Sequence, residues 1–468
     1  MESTRESLGS RLGFIFLSAG CAIGIGNVWR FPWVVGNYGG GIFVLFYLIF
    51  LVILGIPVLT MEFAIGRSSQ RSIITAYQKL ERPGEKWHWH GIHGMAGNYI
   101  LMFFYTSVAG WMLSYFFKYV SGSMETVKTV AEYEGVFGDM LGNPIETGIF
   151  MFIIVVLSIL ICSLGLQKGV ERITKWMMAI LFALIIVLAV HSLTLPGAAE
   201  GLKFYLVPNM EQVREVGIVR IIIEAMNQSF FTLSLGIGSM LIFGSYISKE
   251  HTLLGQSVQI VLLDTFVAIM SGLIIFPACA SYGVDVKAGP ALIFNTLPNV
   301  FSGMPGGRIW GALFFLFMTF AAMSTVLAVI ENLNACCMDK FHWSRSKSCV
   351  FNLIIITVFS LPCVLGFNVW SNVQPMGGTI LDFEDFLVSN LLLPIGSLIF
   401  VLFVVSKKHG WGFQNYLDEV NTGKGMKMPA GIRGYATYVL PVIVGIIILI
   451  SILTKVLPHE WLAAIGLG

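Results

Sequence analysis

The stretch Gly20-Cys21-Ala22-Ile23-Gly24-Ile25-Gly26-Asn27 places a Gly-Ile-Gly tripeptide inside a long apolar segment, and Gly236-Ile237-Gly238 repeats that tripeptide in a second one. A glycine inside a helix costs about 1 kcal/mol relative to alanine, and backbone that leaves the helix within lipid exposes polar groups at a further cost. Paired breaks of this kind indicate a binding site near the bilayer midplane, between two repeats of opposite orientation. Close packing of helices at small residues is the alternative interpretation.

The composition predicts an all-α polytopic membrane protein. Of 468 residues, 56% are hydrophobic and only 12% are charged, whereas about a quarter of the residues in a soluble domain are charged. Apolar runs of roughly 20 residues predict transmembrane helices. We expect 11 transmembrane helices, at residues 11–37, 41–70, 94–120, 146–166, 171–192, 217–248, 253–283, 309–338, 349–367, 385–406 and 434–456.

The basic residues predict how the chain is oriented in the cell membrane. If the N-terminus is cytoplasmic, most of the 28 lysines and arginines fall in cytoplasmic segments, as the positive-inside rule requires. An odd number of helices then places the C-terminus on the extracellular side. The oligomeric state cannot be predicted from these features.

Polar groups inside the predicted helices mark a candidate site. Carbonyl, hydroxyl and carboxamide oxygens surround both glycine pairs, and such hard ligands suit a small alkali cation better than a transition metal. The backbone N–H groups of Ile25 and Gly26, at the start of a half-helix, would attract a carboxylate. We therefore expect one site to hold a cation together with an anionic group. The ionisable residues within spans, which are functional candidates by default, are Arg30, Glu62, Asp264 and Asp385.

Other clusters are weaker candidates for a metal site. Cys336 and Cys337 have no further ligand at metal spacing, so we interpret them as core residues. No nucleophile with an adjacent base is recognised, and we expect neither an enzyme nor an organic cofactor nor a nucleic-acid partner. Tryptophan and histidine commonly mark the membrane interface, and they cluster before the third predicted helix at Trp87, His88, Trp89, His90 and His93.

The motifs around the two breaks resemble those of the neurotransmitter:sodium symporter family, in particular its bacterial amino-acid transporters. The resemblance runs from about Arg5 to Val405. The matching segments are Arg11-Leu12-Gly13, Gly20 to Asn27, Arg30-Phe31-Pro32, Asn37-Tyr38-Gly39-Gly40-Gly41, Pro57-Val58-Leu59-Thr60-Met61-Glu62 and Phe230-Phe231-Thr232-Leu233-Ser234-Leu235-Gly236.

This resemblance implies a 5+5 inverted repeat whose first and sixth helices are unwound in mid-membrane. The organisation that follows is a cytoplasmic N-terminal segment (1–10), a first repeat (11–192), an extracellular loop (193–216), a second repeat (217–406), a cytoplasmic loop (407–433), and the last helix with an extracellular C-terminus (434–468).

The resemblance also implies sodium-coupled import of a hydrophobic or aromatic L-amino acid by alternating access. Relatives that transport biogenic amines have an aspartate where this chain has Gly24, so here the substrate itself must supply the carboxylate. Ile237, on the second break, is expected to limit the size of the substrate side chain. The expected substrate-binding residues are Ala22, Gly24, Ile25, Gly26, Leu101, Tyr105, Phe231, Thr232, Ser234, Ile237, Thr325 and Val329.

Two sodium ions are implied in the same way. The first would bind at Ala22, Asn27, Thr232 and Asp264, and the second at Gly20, Ile23, Ala321, Ser324 and Thr325. The Asp264 carboxylate can supply the negative charge that chloride supplies in animal relatives, so chloride dependence is not expected.

The resemblance implies two gates as well. The gate residues are Arg30 and Asp385, with Phe231 as a lid, on the extracellular side, and Arg5 and Asp339, supported by Tyr246 and Glu62, on the cytoplasmic side. A proton-coupled amino-acid transporter and a substrate-sensing membrane receptor of the same fold are the alternatives.

Overall fold

Helices account for nearly all the regular structure in the computed structural model of the protein, which describes residues 7–127, 129–283 and 292–456. Within those ranges β-structure is limited to two isolated bridges, one joining Gly40 to Pro208 and the other joining His251 to Lys424. The predicted all-α class is confirmed.

The helices, numbered in chain order, are α1 (Arg11–Ala22), α2 (Phe31–Asn37), α3 (Gly41–Phe50), α4 (Ile56–Ser69), α5 (Ile73–Leu80), α6 (Trp89–Ser121), α7 (Val130–Gly142), α8 (Pro144–Ser163), α9 (Arg172–Leu193), α10 (Ala198–Leu206), α11 (Met210–Val216), α12 (Ile218–Thr232), α13 (Ser239–Gly244), α14 (Leu253–Ser281), α15 (Leu297–Ser302), α16 (Gly307–Phe341), α17 (Arg345–Leu365), α18 (Ile380–Phe386), α19 (Leu393–Val405), α20 (Phe413–Val420), α21 (Ile432–Gly434) and α22 (Leu440–Val456). Short π-helical turns at Leu51–Gly55, Leu387–Leu392 and Tyr435–Val439 each join two helices into one span, and the turn at Leu166–Glu171 begins the span that α9 continues.

Nine continuous helices in the described part of the chain are long and apolar enough to cross a membrane. The two halves of the first predicted span make a tenth if they are counted together. The sixth predicted span is divided into α12, of 15 residues, and α13, of 6, so neither half has the length of a span. The multi-pass membrane class is confirmed, and the count of eleven helices stays a prediction.

Several helices differ from their predicted bounds. α6 begins at Trp89 instead of residue 94, because the aromatic and histidine residues before the apolar run form its first turns. The predicted loop 193–216 contains α10 and α11, and the predicted loop 407–433 contains α20. Counting apolar residues finds only the part of a helix that lies in lipid, and it misses interfacial turns and short surface helices.

The first span changes direction at its Gly-Ile-Gly tripeptide. α1 ends at Ala22, and Ile23 has an extended backbone with φ −73° and ψ 98°. The chain resumes in the π-helical turn Gly26–Arg30, and the two halves are bent by 53°.

The sixth span leaves helical conformation between α12 and α13. Ser234, Gly236 and Gly238 have φ values of 50°, 103° and 77°. A side chain at Gly236 is also excluded by space, since a Cβ there would lie 2.0 Å from the Leu393 carbonyl oxygen. The break therefore packs backbone against backbone on the tenth span.

α16 forms the centre of the bundle. In its apolar part 83% of the residues are buried, compared with 28% for the span Ile432–Leu453. It packs against α6, α8, α9 and α1, which brings its middle turns against the break in the first span.

Candidate functional site

A small cavity of about 20 Å³ lies at the break in the first span. This volume is close to the space that one water molecule needs, so the helices are closed around the site. None of the lining residues is charged. They are Cys21, Ala22, Gly24, Gly26, Leu101, Tyr105, Phe231, Ser234, Thr325 and Leu393.

One wall of the cavity is the exposed start of the second half of the first span. The backbone N–H of Ile25 donates a hydrogen bond of 2.9 Å to the Tyr105 hydroxyl oxygen. No side chain fits at Gly24, because a Cβ there would lie 2.3 Å from the Tyr105 hydroxyl oxygen and 2.5 Å from Thr325 Oγ1. The wall therefore offers an N–H and a hydroxyl group side by side, as carboxylate recognition requires.

A buried polar cluster lies beside this wall, where the first, sixth and seventh spans meet. The Asn27 amide nitrogen donates to Asp264 Oδ1 at 2.8 Å and to Thr232 Oγ1 at 3.0 Å. The Thr232 hydroxyl donates to Asp264 Oδ2 at 3.0 Å, and the Tyr47 hydroxyl reaches the same oxygen at 3.5 Å. These hydrogen-bond partners of the buried carboxylate are all neutral. A buried charge is stabilised by an opposite one, so the oxygens of this cluster suit a cation.

A second group of oxygens lies on the other side of the break, between α1 and α16. The Ser324 hydroxyl donates to the carbonyl oxygens of Ile23 and Ala321 at 3.1 and 2.9 Å. The Thr325 hydroxyl reaches the Gly20 carbonyl oxygen at 3.4 Å. All of these groups are buried, and neutral oxygens of this kind match the ligand preference of an alkali cation.

Cys21 and Leu393 border the cavity although the sequence analysis did not select them. The Cys21 carbonyl oxygen accepts hydrogen bonds from Thr325 at 3.3 Å and Ser234 at 3.5 Å. Leu393 lies where the tenth span packs on Gly236. The backbone role of Cys21 and the long-range contact of Leu393 have no signature in the local sequence.

Four predicted substrate residues lie next to the cavity lining and are not part of it. Thr232 belongs to the polar cluster with Asp264, Ile25 contributes its backbone N–H, and Val329 is buried one turn beyond Thr325 in α16. Ile237 is turned toward α6, where its Cγ2 lies 2.6 Å from the position that a Cβ on Gly97 would take. Ile237 is therefore packed between helices in this structure, and its role in limiting the size of the substrate stays a prediction.

The predicted outer pair, Arg30 and Asp385, is not joined in the described residues. The Arg30 guanidinium lies over the ring of Phe231, 4.2 Å from its centroid. Asp385 instead accepts a hydrogen bond of 2.7 Å from the Ser389 hydroxyl. The face of the aromatic ring attracts the cation, and this contact holds Arg30 above the cavity.

Three of the four predicted inner gate residues lie in the described part of the chain. Arg5 lies outside the described residues. Asp339 accepts hydrogen bonds from the Ser72 N–H at 2.7 Å and the Ser72 hydroxyl at 2.6 Å. Glu62 is at the second break, where it accepts a hydrogen bond of 2.5 Å from the Gly236 N–H. Glu62 therefore holds the backbone at the second break.

Tyr246 leads to a buried ion pair that the sequence analysis missed. Its hydroxyl donates to Glu331 Oε1 at 3.1 Å, and the Arg345 guanidinium contacts Glu331 Oε2 at 2.7 Å. The Glu331 side chain is fully buried, and that of Arg345 is only 14% exposed. Glu331 lies inside the predicted span 309–338, so the rule that selected Glu62 could also have found it.

The chain matches the model of the "Sodium:neurotransmitter symporter family" over residues 5–134 and 139–462. An uncharacterised sodium-dependent transporter of Bacillus subtilis, YhdH, is 37% identical over 85% of this chain and 87% of its own length. An uncharacterised sodium-dependent transporter of Haemophilus influenzae is 33% identical over 86% of this chain and 90% of its own length. The crystal structure of MhsT in complex with L-phenylalanine is similar, with a TM-score of 0.85, 36% identity and coverage of 97% of this chain and 100% of MhsT.

Proposed function

Because the chain belongs to the sodium:neurotransmitter symporter family, we propose that this sodium-coupled transporter imports a hydrophobic or aromatic L-amino acid together with two sodium ions. It is a transporter and not an enzyme. The observation that carries the substrate class is the uncharged lining of the cavity, which has no room for a side chain at Gly24. The complex of the similar transporter MhsT with L-phenylalanine supports the same class.

The substrate carboxylate is proposed to bind at the first break. The Ile25 N–H and the Tyr105 hydroxyl now bond to each other, and both can donate to a carboxylate that comes between them. The substrate side chain would then lie toward Leu101, Phe231 and Leu393, which offer only apolar surface. A substrate without a carboxylate leaves these donors without an anionic partner.

The two oxygen clusters are proposed as the sites of the two sodium ions. The cluster at Asp264 has a carboxylate, which balances one positive charge and removes the need for chloride. The cluster at Ser324 and Thr325 has only neutral oxygens, with hydroxyls from α16 facing carbonyls from α1. Since both clusters adjoin the same break, an ion in either one would hold α1 in the shape that binds substrate.

The side of the membrane at which each end of the site opens is also proposed. On the positive-inside argument, the N-terminus and the Glu331 end face the cytoplasm of the cell, and the Arg30 end faces outward. Import then requires the substrate to enter past Phe231 and Arg30 and to leave past the Tyr246 network.

Uptake into proteoliposomes tests the substrate class and the coupling ion. We expect L-phenylalanine or L-tryptophan to accumulate with an inward sodium gradient. Phenethylamine and tryptamine should compete at least tenfold more weakly, since charge-assisted hydrogen bonds are worth roughly 1.5–3 kcal/mol each. Equal competition by the amines would refute the carboxylate site. Undiminished uptake in choline with a proton gradient would favour a proton-coupled transporter, and binding without uptake would favour a receptor.

A further inference from the structure

A groove of about 550 Å³ lies on the surface of the helix bundle, between α1 and the fifth span. The two helices enter the membrane from the same end. The Gly9 N–H donates to Glu171 Oε2 at 2.8 Å, and further along both helices the ring centroids of Phe16 and Phe182 are 6.1 Å apart. We call this the α1–α9 groove. It is separate from the substrate cavity, which faces the inside of the bundle.

The lining of the α1–α9 groove changes from polar to apolar with depth. Arg172 and Lys175 lie at its mouth, in the first turn of α9. Leu12 and Trp176 border the groove with exposed fractions of 54% and 68%, and Phe16 lies further along α1. In a membrane-spanning helix such exposed apolar side chains face lipid, and tryptophan favours the level of the headgroups.

Among the described residues at the mouth of the groove, the Arg172 guanidinium has no counter-charge. Glu171 is already engaged by Lys175, whose Nζ lies 2.6 Å from its Oε1, and by the Gly9 N–H. Arg172 is exposed and has no ion pair or hydrogen bond in the part of the chain that the structure describes. Arginine next to an apolar, lipid-facing surface is suited to an anionic headgroup, since its planar guanidinium can contact two phosphate oxygens.

We propose that the α1–α9 groove binds an anionic phospholipid, with its phosphate at Arg172 and an acyl chain along Leu12, Phe16 and Trp176. A membrane lipid is the occupant because the groove opens sideways to the bilayer and its deeper part is apolar. The bound lipid lies against the contact between Glu171 and the start of α1, and it therefore adds to the contacts that hold α1 on the fifth span.

Lipid binding to the purified full-length protein tests this proposal. Native mass spectrometry with phosphatidylglycerol and phosphatidylcholine of equal chain length gives the affinity for each. We expect phosphatidylglycerol to bind more tightly, and Arg172→Gln to weaken its binding about fivefold, the effect of one basic residue near an anionic surface. Arg433→Gln, which removes an exposed arginine outside the groove, is the matched control and should leave the affinity unchanged.

Three further results would overturn the proposal. Equal binding of the two lipids would mean that the groove does not select for an anionic headgroup, as would be the case if the N-terminal residues of the chain filled it. Equal loss with Arg172→Gln and Arg433→Gln would mean that the preference comes from the overall charge of that surface. Glycerophosphoglycerol, which has no acyl chains, should fail to compete, and competition by it would exclude the apolar part of the site.

Discussion

Hydroxyl groups in α16 differ in the carbonyl groups to which they donate hydrogen bonds. The Thr319 hydroxyl donates to the Phe315 carbonyl in its own helix at 2.7 Å, as hydroxyls within helices usually do. The Ser324 hydroxyl reaches the carbonyl of Ile23, just after α1, as well as that of Ala321 in its own helix, and the Thr325 hydroxyl reaches the Gly20 carbonyl of α1. A hydroxyl that reaches a broken helix adds an oxygen to a group of carbonyls, and this is the arrangement on which the proposed second sodium site rests.

Replacing Thr325 by valine tests the second sodium site. Valine keeps the shape and removes the oxygen, so we expect Thr325→Val to raise the sodium concentration for half-maximal uptake by about tenfold or more, given about 1.5–3 kcal/mol for a contact to a charge. Thr319→Val is the matched control in the same helix. The site assignment fails if the two variants have the same sodium dependence.

At Gly24 the proposed substrate site leaves no room for a side chain. A methyl group there would meet the Tyr105 hydroxyl and Thr325 Oγ1. We therefore expect Gly24→Ala to abolish sodium-dependent amino-acid binding, measured with radiolabelled substrate on the purified protein. Gly135→Ala is the control, since no atom lies within 4 Å of its Cβ position in α7. Normal binding by Gly24→Ala at an unchanged melting temperature would show that the first break does not form the substrate site.

At the scale of helices, a buried ion pair links several elements at the end of the bundle that contains Glu331. Glu331 of α16, Arg345 of α17 and Tyr246, just after α13, form one buried network. α13 is short and follows the second break, so it has few backbone bonds of its own to hold it in place. The network therefore links the broken span to the central helix.

Removing the charge of Glu331 should destabilise the protein far more than removing a surface charge. Glu331→Gln removes the carboxylate that the buried Arg345 guanidinium contacts, and breaking a buried ion pair costs about 3–5 kcal/mol. Glu125→Gln breaks an exposed pair with Arg308, worth about 0–1 kcal/mol. Melting temperatures of the two variants in detergent make the comparison.

The double variant Glu331→Gln/Arg345→Met should recover part of the lost stability, because replacing both members of a buried ion pair by apolar or neutral groups costs less than removing one member. Equal melting temperatures for Glu331→Gln and Glu125→Gln would mean that the buried pair does not hold the helices together.

At the scale of the whole molecule, the features that depend on local composition could be predicted from the sequence. Apolar length gave the membrane class, and the cost of glycine in a span marked both breaks, around which Asn27, Thr232 and Asp264 lie together. Side-chain direction depends on distant helices, and it was not predictable. Ile237 packs on α6, and Arg30 lies on Phe231 instead of Asp385, because tertiary neighbours decide those contacts.

The number of coupled ions is a property of the whole transport cycle, and the plateau of uptake measures it. Moving one charge through 100 mV supplies about 2.3 kcal/mol, and a tenfold sodium gradient adds about 1.4 kcal/mol per ion. Two ions then supply about 7 kcal/mol, enough to concentrate a neutral zwitterion about 10⁵-fold, whereas one ion supports only about 500-fold.

Clamping the membrane potential at zero makes this prediction sharper, because only the sodium gradient then drives uptake. With a tenfold gradient, two ions per substrate should give a plateau of about 100-fold and one ion about tenfold. The measurement is the ratio of internal to external amino acid in tightly sealed proteoliposomes at steady state. A plateau near tenfold for the unmodified protein would contradict two-ion coupling. In Thr325→Val an unchanged ratio reached at higher sodium would show that the site still binds its ion, only more weakly.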